Sequence, residues 1–177
     1  MSILVQEGIL NAKVLENLAV RIREDLDREN IDLYNNCFDP YPRTNVALIT
    51  CAAVLAHHGL LDNINYVNLV NVDLSTVPTQ HLVSLISNVT RAVIINGVSG
   101  CDLCTLIDSV KSEELLIFSQ CLGREETQAL MRAMESHLKE LVLCEVKTPD
   151  MEALVKCSRH VNCGLEINLV NVNWHEA

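Results

Sequence analysis

Apolar residues recur along this chain with one spacing: a first, a second two positions later, and a third three positions beyond the second. The starts of the five copies are separated by 26, 23, 25 and 26 residues (93−67, 116−93, 141−116 and 167−141). A short alternating segment that returns at such intervals is typical of a solenoid whose repeats each contain one strand. The copies are Val67-x-Leu69-x-x-Val72, Val93-x-Ile95-x-x-Val98, Leu116-x-Phe118-x-x-Cys121, Leu141-x-Leu143-x-x-Val146 and Ile167-x-Leu169-x-x-Val172.

Helical patterns fill the intervals between these strands. The first interval has Leu82, Leu85 and Ile86 at helical spacing, and the later intervals show the same kind of apolar side. Because one strand and one helix cannot bury their own apolar sides, the units must stack on each other. We therefore predict an α/β fold with a parallel concave sheet, in which about five strand–helix repeats occupy residues 64–177.

Residues 1–63 are predicted to form a helical N-terminal cap and a loop. The first helix extends to about Asp27, and residues 28–45, which contain two prolines and four asparagines, are predicted as a loop. Within this loop, Ile31-x-Leu33-x-x-Asn36 resembles a degenerate repeat. A second helix is predicted from Asn45 to His58 and ends at Gly59, a residue type that favours helix C-termini. The apolar side of the first helix consists of Leu15, Leu18, Ile22 and Leu26.

The segments at 115–134 and 138–154 resemble leucine-rich repeats of the intracellular type, most closely the ribonuclease-inhibitor-like and cysteine-containing classes. The resemblance covers roughly residues 60–173 and implies a leucine-rich-repeat solenoid with helices on its convex side. The family's leading leucine is matched by Ile64 and Leu138 but not at Thr90 or Gly164, and its Asn or Cys after the strand is matched only by Cys121. The resemblance also implies protein binding. Proteins that contain repeats of these classes include innate-immune receptors and ubiquitin-ligase substrate adaptors.

The side chains that alternate with the predicted core pairs should project from the concave face of the sheet. A sheet face in contact with water should be polar, yet this one contains an aliphatic patch over three neighbouring strands. We therefore predict that the concave face binds another protein or a second copy of the chain. The predicted binding residues are Tyr66, Asn68, Val70, Ile94, Leu115, Ile117, Val142 and Asn168, of which Ile94, Leu115, Ile117 and Val142 form the patch.

The patch also has two alternative interpretations. The N-terminal helix or the 28–45 loop covers it, or the register is off by one residue, which would exchange the two faces of the sheet. The shifted register is disfavoured because it would bury Asn68, Asn96 and Asn168. At the C-terminus, Trp174 covers the last strand, or the array continues, or the end is an oligomer interface.

The charge of the chain bears on its partners. Its 23 acidic and 13 basic residues give a net charge of −10, which repels the phosphates of nucleic acids and anionic membranes. An alternative function is therefore a regulator or inhibitor of an enzyme, or a ligase-type substrate adaptor, that binds a basic target through its acidic surface. The longest apolar run, at 46–56, has about half of the ~20 residues that a membrane span needs, so we expect a cytoplasmic protein.

Cysteine and histidine supply the candidate metal and redox chemistry. Cys101 and Cys104 form one cluster, and Cys157, His160 and Cys163 form another, but the predicted register separates the clusters by more than ~10 Å, too far to share a zinc ion. The sequence contains no phosphate-binding loop, dinucleotide fingerprint or metalloprotease motif. We therefore expect no metal, no cofactor and no enzyme activity.

Overall fold

A computed structural model describes residues 12–35 and 42–168 of the 177-residue chain. Within these residues, five strands form one parallel sheet and six helices accompany them, which confirms the predicted α/β class and the single parallel sheet. The helices are α1 Ala12–Asn35, α2 Val46–His57, α3 Thr79–Ser87, α4 Leu103–Ser109, α5 Arg124–Ser136 and α6 Met151–Ser158. The strands are β1 Ile64–Val70, β2 Val89–Asn96, β3 Glu114–Phe118, β4 Glu140–Cys144 and β5 Gly164–Asn168.

Each strand pairs in parallel with the next strand of the chain, so the sheet order is β1-β2-β3-β4-β5. On one face of the sheet, Val67 and Leu69 lie beside Val93 and Ile95, as the spacing predicted. These side chains and the apolar sides of the helices form one continuous core. The helices therefore share one face of the sheet, and we call the opposite face the second face.

A left-handed residue follows each of the first four strands. Asn71, Gly97, Ser119 and Glu145 have φ values of +47°, +61°, +50° and +56°. Each of their N–H groups donates to the carbonyl of the last residue of the following strand, at 2.7–3.4 Å. The same backbone turn therefore recurs in the first four repeats, and its positions are separated by 26, 22 and 26 residues (97−71, 119−97 and 145−119).

The third repeat lies one residue away from its predicted register. Leu115 pairs with Val93 and Ile117 pairs with Ile95, and both residues are fully buried in the helix-side core. The predicted core pair, Leu116 and Phe118, projects from the second face instead. Four apolar residues in a row, at 115–118, have no alternation, so the pattern alone could not select the buried pair.

The fifth repeat lies two residues away from its predicted register. Leu165 and Ile167 lie beside Leu141 and Leu143, whereas Ile167 and Leu169 were predicted there. The strand starts earlier because the N–H of Gly164 already donates to the carbonyl of Lys139, at 2.8 Å. A shift of two residues keeps the faces unchanged. The predictions for Leu169, Val170, Val172 and Trp174 fall outside the described residues.

The first helix is longer than predicted. It continues to Asn35, so residues 28–35 are helical, and Ile31 is 60% exposed on the helix rather than part of a repeat strand. Asn30 lies four residues after Leu26 on the buried side, which explains why a residue typical of loops fits here. The second helix is confirmed: the Asn45 side chain accepts hydrogen bonds at its N-terminus, and Gly59, with φ +71°, follows its end.

Side chains of the cap pair with the outer edge of β1. The Thr44 hydroxyl donates to the carbonyl of Asn68 and accepts from the N–H of Val70, each at 2.8 Å. The Asn30 amide donates to the carbonyl of Tyr66, and the Asn68 amide donates to the carbonyl of Asn30 at 2.8 Å. Unpaired edge strands invite further strand pairing, so this arrangement closes the N-terminal edge of the sheet. No helix in the described part of the chain has the length and hydropathy to cross a membrane.

Candidate binding face of the sheet

The second face carries an apolar cluster of its own. Ile94, Phe118 and Cys144 are buried there, and Leu116 packs against them. These residues come from three neighbouring strands and do not belong to the helix-side core. An aliphatic cluster on this face was predicted, but from a partly different set of residues.

Strand pairing arranges the second face in three columns. The central column begins near the cap and ends at a carboxylate on β5. Ordered from β1 to β5, it consists of Asn68, Ile94, Leu116, Val142 and Glu166. The two flanking columns are Tyr66, Ala92, Glu114, Glu140 and Gly164, and Val70, Asn96, Phe118, Cys144 and Asn168.

The predicted binding residues divide between the two faces. Tyr66, Asn68, Val70, Ile94 and Val142 lie on the second face at their predicted positions. Asn168 also lies there, but beside Cys144 in a flanking column rather than in the central one.

Leu115 and Ile117 are the predicted binding residues that the structure moves. Both belong to the core, so neither is available to a partner. Leu116 and Phe118 take their places on the second face. Ser119, a polar residue that tolerates the left-handed turn, was the available signal, because the turn residue directly follows the strand in the first, second and fourth repeats.

Much of the second face is already buried. Asn68 is 1% exposed, and Val70 and Ile94 are fully buried. Asn68 Oδ1 has no hydrogen-bond partner among the described residues, a costly arrangement for a buried acceptor. Leu116 and Val142 are only partly buried, so these two aliphatic side chains remain accessible in the centre of the face.

Carboxylates border the accessible aliphatic pair. Glu114 and Glu140 are direct neighbours on β3 and β4, and Glu166 is the neighbour of Val142 on β5. All three side chains are exposed, and none forms an ion pair with another described residue. Like charges on directly opposed strand positions are destabilising. The sequence pattern predicts Glu140 and Glu166 as neighbours in one flanking column. The positions of Glu114 beside Glu140 and of Glu166 beside Val142 depend on the shifted registers of β3 and β5.

Two basic side chains lie at the same end of the strands and are already engaged. Lys139 Nζ contacts Glu113 Oε1 at 2.9 Å, and the Arg91 guanidinium donates to the Tyr66 hydroxyl at 3.3 Å. The Tyr66 hydroxyl raises the pKa of Arg91, with smaller contributions from Glu113 and Glu114. Glu140 and Glu166 form no ion pair with either of these basic side chains.

A buried glutamine connects the third repeat to the second. The Gln120 side chain accepts from the N–H of Val98 and donates to its carbonyl at 3.3 Å. It occupies the position after the strand where the predicted register had Cys121, which is exposed and one residue further on. The prediction that Cys121 is the third apolar position of this repeat is therefore wrong, and the amide that supports the neighbouring main chain belongs to Gln120.

Burial disfavours the thiolate form of four described cysteines. It raises the pKa of Cys101, Cys104, Cys157 and Cys163, so these thiols are less ionised than free cysteine. Across residues 12–35 and 42–168, no group of three His, Cys, Asp or Glu side chains is arranged to hold a metal ion.

Three histidines do meet where α2 and α3 contact. The ring centroid of His57 lies 4.6 Å from that of His81 and 5.5 Å from that of His58. Burial lowers the pKa of His81, and the other two rings lower it further. Protonation of His81 is therefore less favourable in the folded chain than in free histidine.

Comparison of the chain with protein-family models, with curated proteins and with solved structures finds no match. The geometry of the second face is therefore the basis on which a function can be assigned.

Proposed function

We propose that this chain is a short leucine-rich-repeat array that acts as a protein-interaction module and binds a partner protein through the second face of its sheet. Three features support the repeat assignment. One strand and one helix return in each unit, a left-handed turn follows each of the first four strands, and Gln120 supports the main chain of the preceding repeat. In repeat proteins the face formed by the strands is an extended surface suited to binding.

The observation that carries the binding proposal is the second apolar cluster. A sheet face that contacts only water should carry polar side chains, whereas this face has partly exposed Leu116 and Val142 beside buried Ile94, Phe118 and Cys144. Aliphatic side chains at the centre of a surface, surrounded by polar ones, are the usual composition of a protein interface. The described cysteines are free thiols, so we place the module in a reducing compartment such as the cytoplasm.

Peptide selection with matched variants tests this function. Peptides selected for binding to the wild-type chain should lose at least tenfold in affinity for Leu116→Asp, because a carboxylate in the centre of the interface would be desolvated without a partner. The control is Gln128→Asp, which adds the same charge at an exposed position of α5. Circular dichroism confirms that both variants are folded.

Two results would refute the proposal. Selected peptides that bind wild type and Leu116→Asp equally would show that the second face is not the binding surface. Sedimentation that finds a wild-type dimer, which Leu116→Asp converts to monomer, would show that the face is occupied by a second copy of the chain rather than by a different protein.

A further inference from the structure

The spacing of the accessible side chains restricts the shape of the partner. Leu116, Val142 and Glu166 are successive neighbours across β3, β4 and β5, and strands in a sheet are about 4.8 Å apart. On an α-helix, side chains three or four residues apart are separated by about 5–6 Å. On an extended strand, side chains of the same face are about 6.8 Å apart. A helix that lies across the strands therefore matches this row better than an extended segment does.

The charge of the row restricts the composition of the partner. Leu116 and Val142 offer aliphatic contact, and Glu166 ends the row with a carboxylate. Glu140 stands beside this row, over Gly164, where a Cβ would lie 2.7 Å from its carboxylate oxygen. The two carboxylates therefore flank the same end of the aliphatic pair, and a cation placed there would relieve their repulsion.

We propose that the partner segment is an amphipathic α-helix with aliphatic residues on one side and Lys or Arg one turn further along that side. The aliphatic residues pack on Leu116 and Val142, and the cation meets Glu140 and Glu166. This inference rests on the proposed function, because it specifies the partner of the same face. It also gives the net charge of −10 a role, since an acidic surface attracts a basic segment from solution.

Three designed peptides of about 18 residues, long enough to form a helix, serve as probes. They share the same leucine positions and carry lysine, glutamine or glutamate at the remaining positions of the binding side. Fluorescence anisotropy should give the lysine peptide the lowest Kd, at least tenfold below that of the glutamine peptide. Its affinity should fall as salt rises from about 0.1 M to 1 M, where charges are screened within about 3 Å.

Variants of the chain distinguish binding of the peptide at Glu140 and Glu166 from non-specific electrostatic attraction to an acidic protein. The double variant Glu140→Gln/Glu166→Gln should bind the lysine peptide about tenfold more weakly, whereas Glu16→Gln/Glu24→Gln, which removes equal charge from exposed positions of α1, should not. Leu116→Asp adds negative charge and should nevertheless weaken binding of the lysine peptide. Non-specific attraction predicts the opposite result for Leu116→Asp.

The outcomes are distinguishable. If the glutamine or glutamate peptide binds as tightly as the lysine peptide, and Leu116→Asp abolishes this binding, the face binds a partner but the inferred cation is wrong. If the two double variants weaken binding equally, the carboxylates of the second face are not the site of the cation, and the inference fails. If no peptide responds to Leu116→Asp, the proposed function fails as well.

Discussion

Replacing Ile117 and Leu116 separately by alanine should have unequal effects on stability, although the two residues are adjacent in the chain. Ile117 is fully buried between the sheet and the helices, and its neighbours Ile95 and Leu143 are also buried. Removal of a buried aliphatic side chain and creation of a cavity cost about 2–5 kcal/mol. Leu116 is partly buried on the second face, and its truncation should cost roughly 1 kcal/mol.

Urea unfolding followed by far-ultraviolet circular dichroism measures both costs. Because domains of this kind are stable by about 5–15 kcal/mol, Ile117→Ala should lower the unfolding midpoint strongly, and Leu116→Ala only slightly. The aspartate variants sharpen the contrast: Ile117→Asp places a carboxylate in the core and should prevent folding, whereas Leu116→Asp should remain folded. Equal costs for the two alanine variants, or a larger cost for Leu116, would refute the register of β3 and the second face derived from it.

Three further measurements test other parts of the structure. Gln120→Leu should lower the free energy of unfolding by about 2 kcal/mol, because the main chain of the second repeat loses its buried partner; urea unfolding measures this. Burial, and then His57 and His58, lower the folded-state pKa of His81, so the unfolded state binds more protons than the folded state does. The contribution of neutral His81 to the free energy of unfolding is therefore complete above pH 6.5 and declines as the pH falls toward the folded-state pKa. The variant His81→Asn should flatten this decline between pH 7 and 5, as measured by thermal unfolding. Ser119→Gly should raise stability by about 1 kcal/mol, because glycine adopts a φ of +50° without strain; the urea midpoint reports it.

The stacking of strands could be predicted from the sequence because alternation and spacing both report burial. Where polar residues separate the core pair, as Asn68 separates Val67 from Leu69, only one pair can enter the core. In the third repeat the flanking residues of each pair are also apolar, and the register was decided by features outside the strand. These are the left-handed Ser119 and the buried amide of Gln120, whose partners belong to another repeat.

The cap shows a different limit of sequence reasoning. Asparagine and proline predicted a loop from residue 28 onward, because asparagine often competes with regular structure for backbone hydrogen bonds. In the structure Asn30 is helical, its side-chain amide pairs with main-chain groups on the edge of β1, and its carbonyl accepts from the Asn68 side chain. Such tertiary pairing, between positions 38 residues apart in the case of Asn68, leaves no local signal in the sequence.

Protection of the sheet edge and the accessible side chains of the second face belong to different strands. Asn30 and Thr44 occupy the outer main-chain groups of β1, so the sheet is closed to strand addition at that edge. The accessible aliphatic and acidic side chains come instead from β3, β4 and β5, away from the cap. The recognition that we propose for this face therefore involves side chains that project away from the helix-side core, such as Leu116 and Glu140. Each strand contributes one residue to each column, so substitution at these positions can change the chemistry of the face without altering the main-chain hydrogen bonds that hold the sheet together.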